Sequence, residues 1–83
     1  MFKLKCGPIA PSVYWVENIA SSKAFPKGWI ADVSLMAFHV SAIAGDAETV
    51  KSLAVVLARH LCQTNQVDIP ECLNEPDWVS TDQ

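Results

Sequence analysis

The first residues, Phe2-Lys3-Leu4-Lys5-Cys6, alternate apolar and polar side chains with the period of a strand that buries one face, and Gly7-Pro8 stops the pattern. After Pro11 the run Val13-Tyr14-Trp15-Val16-Glu17-Asn18-Ile19 is dense in β-branched and aromatic residues, which suit a pleated, half-buried surface. Ala20-Ser21-Ser22-Lys23 then reads as a hairpin connection, Ala24-Phe25 as a short return strand and Pro26-Lys27-Gly28 as a further turn.

Residues 29–44 decide the fold. As one strand, they put Met36, Phe38, Val40 and Ala42 on one face and Val33, Leu35, Ala37 and Ile43 on the other. As a helix, they line Trp29, Val33, Met36, Val40 and Ile43 along one stripe. Periodicity does not separate the two readings; the hairpin that precedes the segment favours strand.

Gly45-Asp46 breaks the pattern and starts a helix. Asp46 can cap free backbone N–H groups, and Glu48 meets the positive end of the helix dipole in the first turn, so a helix is expected from Ala47 to about Thr64. At about 100° per residue, its apolar residues from Ala47 to Cys62 spread over an arc of roughly 200°, with Val56 outside it among Glu48, Ser52, Arg59 and Gln63. That arc is wider than packing on one small sheet requires. Residues 67–83 hold Pro70 and Pro76 and few apolar residues without a period. The expected fold is α+β: a small antiparallel sheet of three or four strands with one C-terminal helix packed on it. Residues 1–66 form the globular domain, and residues 67–83 an irregular acidic tail or a loop lying on it.

Composition narrows the class. The chain has 83 residues, 51% hydrophobic and 18% charged, which suits one globular core and argues against a disordered chain. Asp32, Ser34, His39 and Ser41 interrupt the longest apolar stretch, so no membrane span is expected. No apolar block follows Lys3 and Lys5, so no secretory signal is read. Three cysteines, Cys6, Cys62 and Cys72, cannot all pair within one chain and are read as reduced thiols of a cytoplasmic protein.

Charge is uneven along the chain. Lys3, Lys5, Lys23 and Lys27 against Glu17 make the first 28 residues basic, whereas residues 61–83 carry Asp68, Glu71, Glu75, Asp77 and Asp82 with no Lys or Arg. Candidate chemistry is thin. Cys6, His39, His60, Cys62 and Cys72 lack the ligand spacing of a zinc knuckle, and no cofactor or metal is expected. His60 and Cys62 diverge on a helix, and the three glycines are isolated, so neither a thiol–imidazole pair nor a phosphate loop is formed locally. Six scattered Lys and Arg residues in an acidic chain argue against direct nucleic-acid binding, and Tyr14, Trp15, Phe25 and Trp29 read as core and hairpin aromatics rather than a stacking platform.

What remains is a binding surface. Tyr14 and Trp15 are adjacent, so on a strand one ring must leave the buried face, and Val56 leaves the apolar arc of the helix. Glu75, Asp77, Trp78 and Val79 set an aromatic anchor among carboxylates, a combination that suits a basic partner. These seven residues are the expected protein-binding set, and no catalytic residue is expected. The function read from them is a non-enzymatic inhibitor or adaptor that occludes a basic surface of a larger cytoplasmic protein, a profile that compact phage-encoded inhibitors of host machinery share as a class. The alternatives are a self-assembling homodimer that uses the wide helix face and a small thiol enzyme that uses Cys62 or Cys72.

Overall fold

The computed structural model describes residues 1–18 and 27–81. Strands β1 (Phe2–Lys3), β2 (Ile9–Val16), β3 (Gly28–Leu35) and β4 (Phe38–Ala44) precede helix α1 (Ala47–Thr64), a 3₁₀ turn at Glu71–Leu73, and strand β5 (Val79–Ser80). The five strands form one antiparallel sheet in the order β4-β3-β2-β1-β5, with α1 across one face. The α+β class is as expected, with five strands where three or four were read. The hairpin connection expected at Ala20–Lys23 and the return strand at Ala24–Phe25 fall outside the described residues.

Residues 29–44 are strand, but two strands rather than one. Met36 and Ala37 form the connection, and Met36 takes a positive φ of 56°. A positive φ at the first of two connecting residues suits the right-handed twist of a hairpin, and glycine usually supplies it. The turn changes the parity of the pattern. Leu35 faces Phe38, Val33 faces Val40, Ala31 faces Ala42 and Trp29 faces Ala44, so odd positions of β3 and even positions of β4 share the helix side. A continuous strand would have put Val33 and Phe38 on opposite faces.

Strand β1 is short for a reason visible in the sequence. The Leu4 N–H donates to the Pro11 carbonyl at 3.2 Å, and the reciprocal bond cannot form because Pro11 has no N–H. The missing donor lies on the same side of β2 as that carbonyl, toward β1, so β3 still pairs with β2 along its whole length. Beyond Leu4 the same antiparallel register continues to the Cys6–Ile9 bridge, where the Ile9 N–H donates to the Cys6 carbonyl at 3.4 Å across the Gly7-Pro8 turn.

Helix α1 begins as expected. Asp46 is extended, and its carboxylate accepts from the Thr49 N–H at 2.9 Å and the Thr49 hydroxyl at 2.8 Å. Those bonds favour the ionised form and hold the Asp46 carboxyl below its usual range. Val50, Ala54, Ala58, Leu61 and Cys62 are buried against Ile9, Val13, Ala31, Val33 and Leu35. The small alanines bring the helix close to the sheet. At the N-terminal end of α1, the Lys51 ammonium lies 3.9 Å from the centre of the Phe2 ring, which packs beside Trp29.

The segment after α1 lies on the domain. The Val67 N–H caps the Cys62 carbonyl at 2.8 Å, Leu73 is fully buried, and Val67, Ile69 and Trp78 pack against the core. β5 pairs with β1, and the Thr81 N–H donates to the Met1 carbonyl at 2.9 Å. Cys6 and Cys72 form a disulfide with Cα atoms 5.7 Å apart, and Cys62 is the free, buried thiol. This corrects the reading of three reduced cysteines: the fold brings together two that lie 66 residues apart, a proximity the sequence does not show.

A closed loop of that length restricts the unfolded chain, and opening it costs roughly 2–4 kcal/mol in small domains. Cys72→Ser, or reduction of the native protein, is expected to lower the unfolding free energy from urea titration by that amount while the α1 circular dichroism signal persists at low denaturant. At the β3–β4 turn, Met36→Gly is expected to preserve or raise stability by about 0.5–1 kcal/mol in the same unfolding measurement, because glycine adopts positive φ without steric cost.

Candidate functional site

With α1 on one side, the described residues leave the other side of the sheet uncovered. Along its middle row the register aligns Val79 of β5, Lys3 of β1, Ser12 of β2, Asp32 of β3 and Ser41 of β4. Tyr14 and Ile30 lie in the row on one side of it, and Ser34 and His39 in the row on the other. Period-two alternation in β3 thus presents Asp32 and Ser34 outward, and the parity change at Met36–Ala37 brings His39 and Ser41 to meet them.

Asp32 is the hub. Its carboxylate accepts from the Tyr14 hydroxyl at 2.6 Å and from the Ser41 hydroxyl at 2.8 Å, and His39 Nε2 lies 3.4 Å away. Ser34 Oγ is 3.0 Å from His39 Nδ1, and Ser41 Oγ is 3.3 Å from Nε2. One assignment uses every group once: Ser34 donates to Nδ1, Nε2–H points to Asp32 and Ser41 Oγ, and both Tyr14 and Ser41 donate to the carboxylate. The hydrogen bond from Tyr14 to Asp32, with burial and the carboxylate's charge acting in the same direction, pushes the phenol up to about 12.

A serine beside an imidazole that faces a carboxylate has the composition of a nucleophile, base and orienting group. Acyl transfer also needs N–H donors aimed at a developing oxyanion, and the N–H groups of a sheet lie in its plane. The arrangement is a polar cluster: a half-buried carboxylate ringed by hydroxyls and one imidazole. Among the described residues no group of three or more His, Cys, Asp or Glu side chains is placed to hold a metal.

The second candidate surface is the segment after α1. Asp68, Glu71, Glu75 and Asp77 are all exposed, and none has a basic partner among the described residues. Arg59 reaches the segment, and it donates to the neutral Asn74 Oδ1 at 2.8 Å and the Leu73 carbonyl at 3.4 Å. Glu71, Asn74 and Glu75 border a shallow hollow of about 260 Å³.

The seven residues read as a binding set occupy different faces. Glu75 and Asp77 are exposed on the segment, Trp78 is half-buried against the core and anchors it, and Val79 is exposed in β5. Tyr14 joins the Asp32 patch. Trp15 is on the helix side, edge-on to Trp29 with ring centres 5.7 Å apart, and its Nε1–H donates to Glu17 at 2.8 Å. Val56 points away from the sheet at the centre of the outer helix surface, 61% exposed. The tail carboxylates stay together, and Val79 shares the uncovered sheet side with Tyr14.

Sequence reading missed Asp32, Ser34, His39 and Ser41. Their signal is two polar pairs spaced by two, Asp32/Ser34 and His39/Ser41, and it becomes legible only when Met36-Ala37 is taken as a turn. Neither residue is a turn former, so that cue is missing. Of the stacking residues weighed for nucleic acid, Phe25 and its neighbour Lys23 lie outside the described residues. Comparison of the chain with family models, curated proteins and solved structures finds no match.

The chain has one tyrosine, so its ionisation reads the Asp32 patch directly. Folded-state elevation to about 12, against 10.0 for a free phenol, means that the Tyr14 contribution to stability is complete below pH 10 and is lost as pH rises toward 12. Ultraviolet titration of the native protein is expected to show phenolate formation near the upper value, and Asp32→Ala is expected to return it toward 10.0.

Proposed function

We propose that the protein is a binding module that occludes a basic surface on a larger protein, as an inhibitor or adaptor. The observation that carries this reading is the set Asp68, Glu71, Glu75 and Asp77, without a basic partner among the described residues and exposed on a segment that the Cys6–Cys72 disulfide, buried Leu73 and β5 hold on the domain. A segment whose backbone is already held on the domain loses less conformational freedom on binding than a free tail, and an acidic surface accelerates encounter with a basic partner. Trp78 contributes by seating the segment.

Two facts favour binding over the thiol-enzyme alternative. Cys72 is bonded to Cys6, and burial pushes the Cys62 thiol up, away from the thiolate that a nucleophile needs. No helix among the described residues is long and apolar enough to cross a membrane. Cytoplasmic residence, expected from the sequence, would favour the open dithiol. Leu73 and β5 hold the acidic segment in either state, so the reading does not depend on the compartment.

The test is affinity capture with the intact chain and with the folded variant Glu71→Gln/Glu75→Gln/Asp77→Asn. The native chain is expected to retain one or a few basic proteins at low salt, with association slowed about tenfold in the variant and by added salt. Equal capture by both chains, or recovery of no protein partner at low salt, would exclude the proposal.

A further inference from the structure

Strand β4 ends the sheet, and among the described residues its one strand neighbour is β3. Leu35 and Phe38 close a two-residue connection and so form a hydrogen-bonded pair; with period two, Phe38, Val40, Ala42 and Ala44 spend their backbone groups on β3. His39, Ser41 and Ile43 therefore point their N–H and C=O groups outward, along a free edge. Natural edges are guarded by lysine, proline, bulges or shortness. β4 has none of these: seven residues, no Lys, Arg, Asp, Glu or Pro, and continuous pairing to β3.

We infer that this edge pairs with β4 of a second copy, antiparallel about a two-fold axis at Ser41. That register sets Ser41 against Ser41, and His39 against Ile43 in both directions, so every outward N–H and C=O on the strand finds a partner. Shifting the centre leaves some of them unpaired. On the helix side, the same register places Phe38, 51% exposed, across from the small Ala44 of the second copy, and Val40 across from Ala42. Large meets small at both ends.

The surplus apolar arc of α1 fits the same geometry. Lys51 contacts Phe2 and Arg59 contacts Leu73 and Asn74, so that flank of the helix faces β1 and the acidic segment. At about 100° per residue Leu53 and Leu57 lie on the opposite flank, above β4. Leu53 is exposed and Leu57 half-buried. Each helix lies over the sheet centre, so pairing the edges leaves the two β3 strands three strand spacings apart, roughly 14 Å. The Leu53 and Leu57 side chains of both copies wall that trough, and the Phe38–Ala44 pairs form its floor. β4 and β5 are opposite ends of the sheet, so the dimer carries its two acidic segments at its far edges. The inference is independent of the proposed target.

Sedimentation equilibrium of the intact chain is expected to show a concentration-dependent rise to twice the 9.1 kDa chain mass. Ser41→Pro removes an N–H that β3 does not use, and Ser41→Lys sets two ammonium groups face to face; each is expected to yield a folded monomer by circular dichroism. Ser41→Cys is expected to link two copies through a short bismaleimide, whereas Val56→Cys, on the outer helix surface, is not. A native chain that stays monomeric at all concentrations overturns the inference. So does a dimer that persists in a folded Ser41→Pro or Ser41→Lys chain, or failure of Ser41→Cys to cross-link above the Val56→Cys level.

Discussion

The connection at Met36-Ala37 sets the side on which every residue of β3 and β4 falls. Two residues between paired strands shift the parity of the alternation, so Ala31, Val33 and Leu35 share a face with Val40, Ala42 and Ala44. That shared face supplies much of the apolar floor on which α1 packs, and its complement is the Asp32, Ser34, His39 and Ser41 patch. With a one-residue slip, the helix would meet Asp32 and His39 in place of Val33 and Val40, burying a carboxylate without an apolar floor beneath it. Core and patch are thus two consequences of one turn.

The other half of the molecule is organised by the pairing of the N-terminal segment with β2. The register that pairs Phe2 with Val13 runs on through the Leu4–Pro11 bond to the Cys6–Ile9 bridge, and it sets Cys6 where Cys72 meets it. The disulfide, Leu73 and β5 then draw residues 67–81 onto the domain. Acidic residues that in sequence looked like a tail become a fixed surface, with Trp78 spent on the core.

The helix illustrates how surplus in a pattern is resolved by packing. Its arc is wider than the sheet it covers, and the excess falls on its flanks. Val55 packs on the flank of Lys51 and Arg59, against the edge of the core, while Leu53 and Leu57 overhang β4. The wide face is therefore a buried centre with two margins: Val55 and Leu57 pack against the core, and Leu53 is left exposed.

Local chemistry was legible in the sequence wherever the signal lies within a few residues. The Asp46 cap, the span of α1, the strand character of Val13–Val16 and the acidity of the final segment follow from capping, periodicity and charge counted along the chain. The parity of β3 and β4 was not legible, because Met and Ala carry no turn preference and the positive φ of Met36 is imposed by the pairing on either side of it. Nor was the Cys6–Cys72 bond, since its partners meet only through β1, the helix and the returning segment. Tertiary structure decided which polar residues converge and which edge remains open. Those are properties of register, and register is set by the burial of a whole face rather than by any residue on it.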